Sequence, residues 1–145
     1  MHIVIAGPTH LEAIRRLLEG QFKEHSIELS SDALTRAILG PLEQPSRGTF
    51  FLAEDGECVG LAYLAYTWTL EHAGRSAWLE ELYVVPARRG QGIGTRLLRE
   101  ALAHAAKLDC CAIDLEIESG HERAGQLYAR EGFRAHRRTR WYLKL

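Results

Sequence analysis

The sequence predicts a mixed α/β (α+β) fold: a mostly antiparallel central sheet of about six to seven strands with about four helices on its faces. Three observations carry this. From Thr49 to Val85 short apolar runs are joined by tight turns, the mark of antiparallel strands. From Ile93 to Arg130 the pattern becomes helix, strand, helix, which brings a strand in parallel. Between these stretches, one strand ends in a glycine-rich loop that opens a helix. The 145 residues, 46% hydrophobic and 26% charged, suit one domain able to bury a core without disulfides or a structural metal.

The elements follow in order. Ile3, Val4 and Ile5 form a short strand ended by Gly7 and Pro8. Thr9 with Glu12 reads as a capping box, and Leu11, Ile14, Leu17 and Leu18 recur at helical spacing. They predict a helix from about His10 to about Glu24. A second helix starts after Ser30 or Ser31, with Leu34, Ile38 and Leu39 on one face, and Pro41 and Pro45 close it. Phe50 to Ala53 make a strand, Asp55-Gly56 a hairpin turn, and Val59 to Trp68 a second strand. His72 to Arg75 reads as another turn, and Ala77 to Val85 as a strand stopped by Pro86. Ile93, Leu97, Leu98, Ala101, Leu102 and Ala105 mark a helix, and Ala112 to Glu118 the next strand. A helix from about Glu122 to Arg130 stops at Gly132, and Phe133 to Leu145 supplies one or two last strands.

Composition excludes several classes. A net charge of −1 gives no electrostatic warrant for a nucleic-acid partner. No apolar run approaches bilayer length, so no membrane partner is expected, and Met1 to Gly7 lacks the features of a signal peptide. Cys58, Cys110 and Cys111 fit neither a disulfide framework nor a metal site, and none is expected. They read as reduced small hydrophobes of a cytoplasmic protein, with Cys110 and Cys111 expected to be buried.

The informative stretch is Val84-Val85-Pro86-Ala87-Arg88-Arg89-Gly90-Gln91-Gly92-Ile93-Gly94-Thr95. It sets free backbone N–H groups at a helix N-terminus, where the helix dipole also favours anions. The alternate glycines let backbone approach a ligand closely. The chemistry is that of phosphate binding, most simply a pyrophosphate. A Walker A loop is excluded because no lysine follows the glycines, and the third glycine of a dinucleotide fingerprint would fall on Thr95 or Leu97.

Arg89-x-x-Gly92-x-Gly94 resembles the acetyl-CoA-binding motif of the GNAT N-acetyltransferase superfamily. Leu82-Tyr83-Val84-x-Pro86 is similar to that family's cofactor-binding strand. His121-x-x-Ala124-x-x-x-Tyr128-x-x-x-Gly132-Phe133 resembles its second motif, with His121 where asparagine is usual. The resemblance covers the whole element order. It implies acetyl-CoA as co-substrate, with the pantetheine arm between two parting parallel strands, here Ala77–Val85 and Ala112–Glu118. Backbone groups of Leu82, Tyr83 and Val84 would pair with the arm. The amides of Gly90, Gln91, Gly92, Ile93, Gly94 and Thr95 would hold the pyrophosphate, and Arg88 or Arg89 would reach a phosphate. Ala124 and His121 belong to the implied cofactor site through the second motif.

The same resemblance makes Tyr128 the general acid toward the departing thiolate. For the base, Glu80 and Glu81 adjoin on a strand and are expected to face opposite sides, so that only one looks into the cleft. Leu79-Glu80-Glu81-Leu82-Tyr83-Val84 resembles the polyamine acetyltransferase branch, where the first acid of the pair is the candidate. This favours Glu80, with Glu81 the runner-up. The acceptor would be a primary amine of a small molecule or peptide, met by an acidic lining from Glu19, Glu24, Glu28 and Glu71. Tyr63, Tyr66 and Trp68 would wall the pocket or pack in the sheet. A homodimer is compatible with the family. The alternative is a non-catalytic acyl-CoA-binding module of the same fold.

Overall fold

In the computed structural model, which describes residues 1–145, five strands form one sheet with each strand beside its neighbour in the chain. They are β1 (His2–Ile5), β2 (Gly48–Asp55), β3 (Glu57–Thr69), β4 (Gly74–Val84) and β5 (Ala112–Leu115). The first four pair antiparallel, and β5 joins β4 in parallel. The helices are α1 (Leu11–Glu24), α2 (Ser31–Glu43), α3 (Ile93–Lys107) and α4 (Glu122–Arg130).

The run Phe50-Phe51-Leu52-Ala53 is apolar throughout because both faces of the sheet are covered. Phe51 and Ala53 point to α3, where Ile93, Leu97, Leu98, Ala101 and Ala105 complete one core. Phe50 and Leu52 point to α1 and α2, where Ile14, Leu17, Leu18, Leu34 and Ile38 complete the other. The β3–β4 turn falls at Leu70–Ala73, two residues earlier than expected, and Ala73 rather than a glycine takes the left-handed conformation there (φ 56°). No helix is long and apolar enough to cross a membrane.

α2 is capped by Ser30, whose hydroxyl accepts from the Ala33 amide at 3.2 Å. Ser30→Ala is expected to lower unfolding stability by about 1 kcal/mol. The check is a urea titration in which the midpoint falls and the slope does not change. Pro41 does not close this helix. It lies inside the last turn, buried, and the helix continues to Glu43, because loss of one N–H near a helix end leaves only a single carbonyl unpaired.

Other expectations are corrected as well. The Thr9–Glu12 box does not form: a short 3₁₀ turn at Pro8–His10 precedes α1, and Glu12 pairs with Arg15 at 2.6 Å instead. The sheet has five strands rather than six to seven, because Phe133–Leu145 adds none. Two arginines of that tail pair with carboxylates, Arg138 with Glu71 and Arg140 with Glu116, each at 2.7 Å. Trp141, Tyr142 and Leu143 stay exposed. Of the cysteines, all free, Cys111 is exposed and only Cys58 and Cys110 are half-buried.

Candidate active site

β4 and β5 pair only from Ser76 with Ala112 to Leu79 with Leu115. Beyond that point they part, and β5 ends at Leu115 rather than Glu118 because β4 no longer runs alongside. The cause is a bulge. Opposite β3, Leu64 faces Leu79 but Tyr63 faces Glu81, so Glu80 is the extra residue. A bulge bends its strand and resets the alternation of side chains. Before it, Ala77 and Leu79 face α3; after it, Leu82 and Val84 do. Trp78, Glu80, Leu82 and Val84, which unbroken alternation would place on one face, therefore do not share one. Glu80 and Glu81 do not point to opposite sides either: the bulge sets both between Leu79 and Leu82, which face α3.

Past the bulge one edge of β4 is open. The Val85 amide donates to the Val59 carbonyl at 3.0 Å. The antiparallel alternation then turns the N–H and C=O of Leu82 and Val84 toward the open edge, while Tyr83 bonds to β3. This edge leads to the glycine loop. The amides of Gly90, Gln91, Gly92, Ile93, Gly94 and Thr95 donate to no protein acceptor. Gly90 and Gly92 have φ of 78° and 76°, which only glycine adopts without strain, and the space above each is open to 4 Å. Six unpaired N–H groups at the N-terminus of a four-turn helix are an anion site. Ile93 contributes its amide alone, since its side chain is buried in the core.

The other end of the open edge carries the ionisable groups. Glu81 is half-buried on the α1 face, where Gln21 Nε2 donates to its Oε2 at 2.5 Å. Burial, then the charge of Glu80, pushes its carboxyl up to about 7; the Gln21 hydrogen bond and His25 act the other way. The Gln21 Oε1 atom is buried without a partner, an acceptor left waiting for a donor beside a carboxylate. Glu80 is exposed in an open cavity of about 540 Å³ with His72, Trp78, Asp114 and Arg140. The cavity walls raise its carboxyl and Arg140 lowers it.

Tyr128 comes from α4 and packs on the α3-side core, edge-on to Phe133 at 5.7 Å. Burial, then the charge of Glu81, pushes its phenol up to about 12. Its hydroxyl bonds to no protein group and is not sealed from solvent. The gap between β4 and β5 thus joins Glu81, from one face, with Tyr128, from the other.

Other expected residues are placed differently. Arg88 is held by Asp55. Arg89 pairs with Glu24 at 2.7 Å and donates from Nε to the Val84 carbonyl at 2.8 Å, so neither guanidinium is turned to the loop amides. Glu24 is thereby neutralised, as Glu19 is by Arg15 and Glu71 by Arg138; Glu28 alone of the expected acidic lining has no ion pair. Tyr63 stacks on Phe50 at 4.3 Å and Tyr66 donates to Thr49 at 2.8 Å, both as sheet packing, while Trp68 is exposed. His121 begins α4 beside Glu118 at 3.7 Å, and Ala124 is half-buried one turn below Tyr128. Sequence reasoning did not single out Gln21, on α1, or His25, just after it, which reach the site across long separations that no local pattern encodes.

A mixed sheet whose parallel pair parts beside a glycine loop is an architecture with known relatives. The model of the acetyltransferase (GNAT) family matches residues 11–133, and the chain belongs to that family. A thialysine N-epsilon-acetyltransferase from Mus musculus is 30% identical over 132 residues, 81% of this chain and 72% of that protein. An aminoalkylphosphonate N-acetyltransferase from Salmonella typhimurium is 30% identical over 107 residues, 74% of this chain and 70% of that protein. Among solved structures, an integron cassette protein from the mobile metagenome of Cole Harbour Salt Marsh has a TM-score of 0.88 at 26% identity, covering 99% of this chain and 90% of that one. An aminoglycoside N-acetyltransferase solved with CoA shares the fold, with a TM-score of 0.82 at 21% identity over 99% and 95% of the two chains.

Proposed function

We propose that this chain transfers an acetyl group from acetyl-CoA to the primary amine of a small molecule. One observation carries the reading: beyond Leu79 and Leu115 the sheet opens a single backbone edge that runs from six unpaired loop amides to Glu81 and Tyr128. An extended ligand with a pyrophosphate at one end and a thioester at the other fits that edge. The bound thioester supplies an acyl group already activated for attack. The chain's own residues orient it, accept the amine's proton and stabilise the departing sulfur.

In this reading the amides of 90–95 hold the pyrophosphate, and Leu82 and Val84 pair with the arm. Binding displaces Arg89 from the Val84 carbonyl. Glu81 takes the amine proton, and the orphaned Gln21 Oε1 accepts a second N–H of the same amine. Glu81 is preferred to Glu80 because it lies deeper and is raised further. Relatives named for thialysine, aminoglycosides and aminoalkylphosphonates support a primary amine acceptor.

The test is thiol release from acetyl-CoA across a panel of thialysine, polyamines, aminoglycosides, aminoalkylphosphonates and peptide N-termini. Release with at least one small primary amine is expected. If acetyl-CoA raises the melting temperature but no amine releases thiol, the chain is a non-catalytic acyl-CoA-binding module. If acetyl-CoA does not bind, the reading fails.

The loop has its own signature. Gly92→Ala places a Cβ in left-handed backbone and is expected to destabilise the fold by about 1–2 kcal/mol. Re-aimed amides then raise KM for acetyl-CoA about tenfold while kcat changes little, the pattern of lost uniform binding. Initial-rate kinetics at varied acetyl-CoA separate the two constants.

A further inference from the structure

We propose that His25, Glu118 and His121 form a binding site for one divalent transition-metal ion of the zinc class. The three residues come from different elements: His25 follows the last turn of α1, Glu118 lies beyond β5, and His121 begins α4. They converge on one point. His25 Nδ1 is 3.0 Å from Glu118 Oε2, and His121 Nε2 is 3.7 Å from the same oxygen. All three candidate ligand atoms lie within 4.8 Å of one another. The two imidazoles stack with centroids 5.3 Å apart and planes inclined by 27°.

The donor set selects the ion. Two imidazole nitrogens with one carboxylate oxygen suit Zn²⁺, Co²⁺, Ni²⁺ or Cu²⁺, whereas Ca²⁺ and Mg²⁺ require oxygen ligands throughout. An ion held at about 2.0–2.2 Å in tetrahedral geometry sets its ligands about 3.3–3.5 Å apart. The separations of 3.0 and 3.7 Å bracket that value. The His121 and Glu118 side chains, 48% and 65% exposed, have room to close the remaining distance by rotation. His25 is the more buried anchor, at 24%. The fourth position opens to solvent and would hold water.

Occupancy would tie the end of α1 to the segment between β5 and α4. The sequence gives no hint of this, since His25 and Glu118 are 93 positions apart. The site stands on its own geometry and does not depend on the acyl-transfer reading.

The experiment uses the full chain, stripped with chelator and free of any histidine tag, titrated with Zn²⁺ by calorimetry and with Co²⁺ by visible absorption. One equivalent is expected, with Co²⁺ absorption displaced by Zn²⁺. His25→Gln, His121→Asn and Glu118→Gln should each weaken binding at least tenfold. Glu118→Gln alters only an exposed side chain and keeps the test valid if a histidine variant misfolds. His72→Gln, at the separate His72–Asp114 pair, should leave binding unchanged. The proposal is overturned by the absence of saturable binding near one equivalent, by full binding in Glu118→Gln, or by loss of binding in His72→Gln.

Discussion

Glu81→Gln is expected to lower kcat/KM for acetyl transfer about 100-fold, at the low end of what a positioned base contributes. An alkylamine acceptor holds its proton to about pH ~10.4, so at neutral pH most of it is charged and something must take the proton. A carboxylate titrating at about 7 is ionised just above neutral pH, and it takes the proton as the nitrogen attacks the thioester and its N–H becomes more acidic. Wild-type kcat/KM should therefore fall about tenfold per pH unit below 7, as Glu81 gains its proton. In Glu81→Gln that break vanishes and the slower rate follows only the free-amine fraction. Glu80→Gln makes the contrasting variant. It removes the like charge that helps raise Glu81, so the break should move to lower pH with less than a tenfold change in the plateau. A pH break near 7 that survives in Glu81→Gln would remove Glu81 as the base.

Stability separates this loss from simple unfolding. The folded chain keeps the Glu81 proton up to about pH 7, whereas an unfolded carboxyl releases it near 4.5. Between those values the folded state binds more protons, so folding stability falls as pH rises through the window. Above pH 7 the full penalty of a half-buried charge is present. Glu81→Gln lifts it, and at pH 8 the variant should be more stable than wild type by roughly 1–3 kcal/mol. A residue whose replacement by its amide stabilises the fold while abolishing most activity is held there for chemistry rather than packing. Chemical denaturation at pH 5 and pH 8 provides the check, since the gain should be small at the lower pH.

What the sequence made legible was whatever is written locally. The glycine loop between strand and helix can be read from a dozen consecutive residues, because turn geometry and helix N-terminal amides are properties of neighbours. The buried run Phe50–Ala53 and the helical spacing of Leu97, Leu98 and Ala101 are equally local. The bulge at Glu80 is not. No glycine or proline marks it, and it arises from how β3 and β4 find their register on either side of Tyr63 and Leu64. That one residue shifts Glu80 and Glu81 onto a shared side and opens the sheet. The capture of Arg88 by Asp55 and of Arg89 by Glu24 has the same character. The tail failed for a further reason: an alternation rich in arginine looks like a half-exposed strand, yet it leaves little apolar surface to dock and its guanidinium groups find carboxylates instead.

Tyr128→Phe is expected to lower kcat about 100-fold with little change in KM, the size seen when one donor to a developing anion is removed. The hydroxyl bonds to no protein group, and phenylalanine keeps the contact with Phe133, so folding stability should change by less than about 1 kcal/mol. The phenol titrates at about 12, while an alkyl thiol gives up its proton near ~8.5. Full transfer from Tyr128 to a thiolate would run uphill by several pH units. In the proposed reaction Tyr128 would therefore donate a hydrogen bond to the sulfur as charge builds on it, and keep its proton. Two consequences distinguish this from a titrating acid. The wild-type rate should show no loss from phenol ionisation up to pH 10, because the phenol is still protonated there. And the penalty of Tyr128→Phe should shrink for acetyl thioesters of more acidic thiols, which develop less charge-stabilisation demand on departure. A wild-type rate that falls with an apparent pKa near 9–10, absent in Tyr128→Phe, would instead make Tyr128 a true proton donor. An unchanged kcat in Tyr128→Phe would take it out of the mechanism altogether.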